Sequence, residues 1–228
     1  MLEKKILLGL TTTPGSDWRN KIEEIKKFNI REVALFLGPL KKDKRKTIYR
    51  ELEKIQISIP HVHARTDMDT EEFDYLAEKY GTKVFNIHSL KEFPLIENID
   101  FSKYYKKIYI ENVHFIPDEK EIEMFGGLCI DFSHWENGKL TNWDGYENFE
   151  ELAKKYPIGC CHISAITDSL VKWPEWSTYD SHNFKKIKEF DYIKKYLKYL
   201  PDIISIELEN SFEEQLKVKE YLEKIINS

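Results

Sequence analysis

Residues 128–134, Leu-Cys-Ile-Asp-Phe-Ser-His, decide how this chain reads. Leu128 and Ile130 alternate with Cys129 and Asp131, so a strand here turns two aliphatic side chains to one face and a thiol and a carboxylate to the other. The last inward residue is a metal-liking group. The design recurs in IPHVHA (59–64), FNIH (85–88), YIEN (109–112), GCCHIS (159–164) and ISIELEN (204–210). Asn86 with His88, Cys160 with His162, and Ser205 with Glu207 share faces by the same period of two. The opposite faces carry Phe85, Ile87, Ile204, Ile206 and Leu208. Small or polar inside and aliphatic outside is the pattern of parallel strands covered by helices.

Working outward, strands are expected at 5–10, 32–37, 57–64, 84–88, 107–113, 128–131, 158–163 and 203–208. Helical patterns separate most of them. One is 17–28, with Ser16 as its expected cap, and a lysine-rich helix runs to about residue 55. Another is 69–81, ended by a glycine. Further helices are expected within 117–127, 145–157, 190–201 and 211–228, the last with a capping box. Residues 90–105 read as a short helix and loop. This alternation predicts a parallel sheet, and a single (β/α)8 TIM-barrel domain over 1–228. An open doubly wound sheet is the rival. It would carry GxGxxG after the first strand, which is absent, and it would gather its polar groups at one switch point rather than at most strand ends.

The 228 residues carry a formal net charge of -5, with 33% charged residues. That excludes a uniformly basic nucleic-acid binder but leaves room for a local basic patch. Cys129, Cys160 and Cys161 all fall in expected strands, and the adjacent pair would point to opposite faces, so reduced buried thiols are expected. No stretch reaches membrane-spanning length, and the opening MLEKKILLGL is cut short by TTTPGS. A cytoplasmic protein is the expectation.

Nine side chains then form the candidate metal set: His61, His88, Glu111, Asp131, His134, His162, Asp180, His182 and Glu207. Imidazole mixed with carboxylate suits zinc, manganese or magnesium-like ions. Glu111, Asp131, His162 and Glu207 come from four successive strands and could hold one cation with positions left for substrate.

The strings IEN, CIDFSH and CHIS, the PH at 60–61 and the D-x-x-H of Asp131 and His134 resemble motifs of the xylose isomerase-like TIM barrels, which include sugar isomerases, epimerases and endonuclease IV. The ligand pattern is most similar to endonuclease IV. That resemblance implies about three zinc ions. His61, His88 and Glu111 would hold the first. Glu111, Asp131, His162 and Glu207 would hold the second, with Glu111 bridging, and His134, Asp180 and His182 the third. It implies phosphodiester hydrolysis by a metal-bound hydroxide, Glu111 and Glu207 being catalytic, with damaged DNA or another phosphodiester as partner. HVHAR (61–65) lacks the wedge which that family inserts beside a flipped nucleotide, with Arg65 and His63 as the nearest substitutes.

Two loops offer substrate contacts. GPLKKDKRK (38–46) places Lys41 and Lys42 on the expected catalytic face, or else begins a solvated helix. VKWPEWSTYDSH (171–182) offers Trp173 and Trp176 for stacking, or for packing on the barrel. Glu209 shares a face with Glu207 and rivals it; His63 and His114 read as non-ligands. The alternative function is a sugar isomerase or epimerase with one manganese or magnesium ion. A ligand-binding barrel without turnover is a third reading, which would need a degraded ligand set, and none of the nine positions is degraded.

Overall fold

The computed structural model describes residues 4–97, 99–172 and 177–227. In chain order the elements are β1 (Lys5–Thr11), α1 (Trp18–Lys27), β2 (Glu32–Phe36), α2 (Lys42–Leu52), β3 (Ser58–His63), α3 (Thr70–Tyr80), β4 (Val84–His88), β5 (Ile108–Glu111), α4 (Glu119–Met124), β6 (Leu128–Asp131), α5 (Phe132–Thr141), α6 (Phe149–Lys155), β7 (Ile158–Ile163), β8 (Ala165–Lys172), β9 (Ser177–Ser181), β10 (Ile203–Ile206) and α7 (Phe212–Ile226). Tight 3-10 turns lie at Ser102–Lys107, Ile187–Lys195 and Leu197–Tyr199. Eight strands close a barrel in the order β1-β10-β7-β6-β5-β4-β3-β2. Every neighbouring pair is parallel. With helices between most strands, this is the TIM-barrel-like α/β fold the alternation predicts.

Parity sorts the side chains into two apolar clusters. Ile87, Ile110, Ile130, Ile163 and Ile206 belong to the large core that the helices cover. Leu7, Ala34 and Phe36 form a small separate cluster. Each fully buried aliphatic side chain contributes about 1.5–3 kcal/mol. Most polar groups of the interior are hydrogen-bonded, which limits the cost of burying them. Cys129, Cys160 and Cys161 are buried and free, as expected.

The seam between β1 and β10 needs glycine. A Cβ on Gly9 would lie 2.0 Å from the Ile206 carbonyl oxygen, so only glycine permits this approach. Gln215 of α7 bridges the seam, accepting from Gly9 N at 2.7 Å and donating to Leu208 O at 3.0 Å. Lys21 of α1 donates to Leu208 O at 2.7 Å and Thr11 Oγ1 at 2.9 Å. Burial pushes the Lys21 ammonium down to about 7, against the pull of Glu209 and Glu24. A depressed group contributes stability above its unfolded value and loses it as pH falls through its folded value. The window therefore runs from 10.5 down to about 7. Urea titrations should show the wild type gaining on Lys21→Met between neutral and alkaline pH; parallel pH profiles would contradict this.

Several local expectations change. Ser16 does not cap α1; its hydroxyl is held by Thr11 Oγ1 at 2.8 Å, and Asp17 caps instead, accepting from Asn20 N. Gly81 ends α3 at φ 68°, and Ser211 with Glu214 forms the capping box of α7. The strands expected at 107–113 and 203–208 are shorter, at Ile108–Glu111 and Ile203–Ile206. Residues 132–141 form a helix, α5, that the pattern did not announce. The segment after β7 is an antiparallel hairpin, β8 with β9, pairing Ile166 with Asp180 and Val171 with Thr178. The helix expected at 190–201 is a run of 3-10 turns. Among the described residues, no helix is long and apolar enough to cross a membrane.

Candidate metal centre at the barrel mouth

Register decides which side chains meet. His88 pairs with Glu111 across β4 and β5, and Asp131 with His162 across β6 and β7. The two pairs are staggered: Glu111 stands opposite Cys129, so Asp131 and His162 lie one inward position further along their strands. Glu207 follows β10, its amide bonded to Ile163 O at 3.0 Å. The result is a buried knot in which His162 Nδ1 lies 3.2 Å from Glu111 Oε1, 3.1 Å from Glu207 Oε2 and 3.9 Å from Asp131 Oδ2. One ligand atom from each of these four residues falls within 4.8 Å of the others.

Two flanks extend the knot. On one side His63 Nε2 and His88 Nε2 stand 3.6 and 3.8 Å from Glu111 Oε2, with the two rings 4.7 Å apart. On the other, His134 Nδ1 lies 2.9 Å from Asp180 Oδ2 and its Nε2 3.7 Å from Asp131 Oδ2. His134 gets there because Asp131 ends β6 and also caps α5, accepting from the His134 amide at 2.9 Å. Asp180 and His182 arrive on the return strand of the hairpin and just after it. Asn137 Oδ1 holds the Tyr179 amide at 2.8 Å, and the Glu209 amide holds His182 O at 2.7 Å.

Eight of the nine expected ligand positions therefore surround one mouth. His61 stands apart. It pairs in register with Val84, at the start of β4, whereas His63 pairs with Asn86. His61 thus lies one inward layer deeper, bonded to Ser205 and Asn86, and His63 takes the place at the rim of β3 that the PH motif suggested for His61. The sequence signal for His63 was its parity, identical to that of His61.

The knot is electrostatically strung. Burial would protonate Glu111, but the His162, His63 and His88 imidazoles hold it well below the usual carboxylate range. Burial likewise opposes charge on Glu207, yet His162 and His182 bring it to about 2. His162 is pushed well above the usual imidazole value by Glu111 and Glu207 despite its burial. His134 rises to about 10, the Asp131 and Asp180 carboxylates outweighing burial. Burial, His134 partly offsetting it, raises Asp131, while Asp180 is lowered by His134 against its own burial. His182 is raised by Glu207 and Asp180 over burial. His63 alone is driven to about 3, chiefly by burial. Protons on these imidazoles stand where cations would stand, so metal binding must expel them.

The donor set fits a divalent ion. Asp131 Oδ2 and Asp180 Oδ1 are buried with no hydrogen-bond partner among the described residues. Such orphaned oxygens are costly unless a cation or proton meets them. Glu111, Asp131, Asp180 and Glu207 supply four negative charges, enough to offset two divalent ions and leave a third partly balanced by substrate.

Around the knot lies a cavity of about 640 Å3, with Phe36, Ile87, Phe93, Val113, Trp143 and Val171 in its wall. Its Arg65 is the only lysine or arginine among the described lining residues. The guanidinium is spent on Gly38 O and on Asp67 Oδ1, the latter at 3.0 Å. Lys41 and Lys42 line a shallower adjoining groove that shares Arg65 and Phe93, and Lys42 is paired with Asp69 at 2.7 Å. Lys41 and Lys42 therefore begin α2 outside the mouth. Trp173 and Trp176 lie outside the described residues. Glu209 is not in the knot; Thr13 Oγ1 and Asn183 Nδ2 hold it at the rim at 2.5 and 2.6 Å. His114 stacks on Trp143 at 5.3 Å.

Glu92 was missed by sequence reading. Its Oε2 lies 3.5 Å from His88 Nδ1, and its Oε1 accepts from the His114 amide at 3.0 Å. A carboxylate on the far nitrogen of a metal-type histidine orients the ring, and its spacing four residues after His88 was the only available signal. Compared with known proteins, the chain matches no family model, and no curated protein matches it.

Proposed function

We propose that this chain is a metal-dependent hydrolase of phosphodiesters, similar in its ligand pattern to endonuclease IV and holding about three divalent ions, zinc foremost. The observation that carries the reading is the three-part knot. Its centre is Glu111, Asp131, His162 and Glu207, with His63 and His88 on one flank and His134, Asp180 and His182 on the other. One four-ligand site would need no flanks. Bound divalent ions supply hydroxide at neutral pH and neutralise phosphate oxygens. Glu111 and Glu207 stay ionised, with Oε1 and Oε2 at 3.2 and 3.1 Å from His162 Nδ1, and would hold the ions. Arg65, the one lysine or arginine among the described residues of the cavity wall, is already engaged, so bound ions would carry most of the phosphate recognition. A volume near 640 Å3 suits a nucleotide-sized group rather than a length of duplex.

The same wall favours a second reading, a sugar isomerase or epimerase in which Glu111 and Glu207 shuttle protons beside a single manganese or magnesium ion. One assay pair separates them. Zinc- or manganese-loaded protein is given a chromogenic phosphodiester and an abasic oligonucleotide, and separately aldoses and ketoses in D2O. The expected result is chelator-sensitive release of phosphomonoester. Solvent deuterium entering a sugar carbon, with no phosphodiester cleaved, would overturn the hydrolase reading.

A further inference from the structure

The layer beneath the knot holds a second group of ligand types. His61, Cys129 and His162 bring ligand atoms within 4.8 Å of one another, a mixture that by composition would suit a soft divalent ion. His61 is not free to take part. Its Nδ1 lies 2.7 Å from Ser205 Oγ and its Nε2 2.9 Å from Asn86 Oδ1. Asn86 Nδ2 in turn donates to Glu111 Oε2 at 2.5 Å. All four residues are buried.

Hydrogen bonds orient this row, in which the buried Cys160 thiol is a further partner of His61. Asn86 turns its NH2 to Glu111 Oε2 and its Oδ1 to His61. Asn86 Oδ1 then faces His61 and needs a donor, which places the imidazole hydrogen on Nε2. With that hydrogen on Nε2, Nδ1 is left as the acceptor for the Ser205 hydroxyl. Each step follows from the one before. Donors aligned in one direction in a dry interior strengthen one another.

We propose that Ser205, His61 and Asn86 form a one-directional donor chain that pins the Glu111 carboxylate, with His61 a positioning residue and not a metal ligand. The function of the chain rests on the metal-centre reading above. Groups that orient a ligand from behind typically govern metal affinity by 10–100-fold, so the effect should be measurable without turnover.

Two measurements on the full chain test this. Nitrogen-15 NMR of metal-free protein should show His61 as the neutral Nε2–H tautomer; the Nδ1–H tautomer would overturn the chain's direction. Zinc is then titrated against a chromophoric chelator in His61→Gln and His61→Leu. The glutamine amide reaches the Nε2 position and can still donate to Asn86, whereas leucine cannot. Full zinc stoichiometry is expected in both, with affinity about tenfold weaker in the leucine variant and nearly restored in the glutamine variant. Loss of one ion in both variants would make His61 a ligand; unchanged affinity in the leucine variant would remove the chain's role. If the leucine variant does not fold, the wild-type tautomer decides. A wild type that binds no ion defeats the metal reading yet leaves the tautomer result standing, so the two failures are distinct.

Discussion

Glu111→Gln should lower kcat on the order of 10³-fold or more, the scale seen when a group stabilising transition-state charge is removed. Glu111 joins the centre of the knot to one of its flanks. Its Oε1 lies 3.2 Å from His162 Nδ1, and its Oε2 faces His63 and His88 at 3.6 and 3.8 Å. Glutamine keeps the volume and one acceptor oxygen, so the fold should survive. What is lost is the charge that two ions would share. In the metal-free protein the same change should lower the His162 pKa, because Glu111 is the largest influence raising it. Circular dichroism, metal content and kcat, with an NMR titration of His162 in the metal-free protein, check these parts. A folded variant keeping full metal content and activity would contradict the bridging role.

Asp131→Asn should separate ligation from folding at a single residue. Asp131 Oδ1 caps α5, accepting from the His134 amide at 2.9 Å and from Ser133 Oγ at 2.5 Å. Its Oδ2 is the orphaned oxygen facing His162 and His134. Asparagine caps as well as aspartate, so stability should change by less than about 0.5 kcal/mol, while alanine should cost about 0.5–2 kcal/mol. Activity should fall on the order of 10²–10³-fold in both variants, because an NH2 group then faces the ions in place of an acceptor. Urea midpoints set beside kcat read the two effects separately. An asparagine variant with normal activity would mean that Oδ2 serves no ion.

How much of this was written in the sequence depends on which physical variable set each feature. Alternation fixes the face a side chain takes, and so Asp131, His162 and Glu207 were legible as inward groups at strand ends. Depth is another matter. His61 and His63 share a face, and only the stagger of β3 against β4, with His63 opposite Asn86, puts one at the rim and the other a layer below. No local pattern encodes that stagger. Helix α5 was hidden because it has no polar face to give it a period: Trp135, Glu136, Asn137 and Gly138 are all buried. Gly138 is packed so closely on the Tyr146 ring that an added Cβ would lie 2.4 Å from it. The hairpin that delivers Asp180 was read as a loop because WPEW interrupts its alternation. Asp180 and His182 were still found, since chemistry chosen by residue type survives an error in local structure.

If one mouth gathers divalent ions in a cluster, the metal content of the protein must show it. Elemental analysis of protein purified without chelators, before and after zinc reloading, tests it most directly. The expected result is about three ions per chain, one for the centre and one for each flank. One ion per chain would contradict the cluster and favour the isomerase reading, and none after reloading would contradict the metal centre itself.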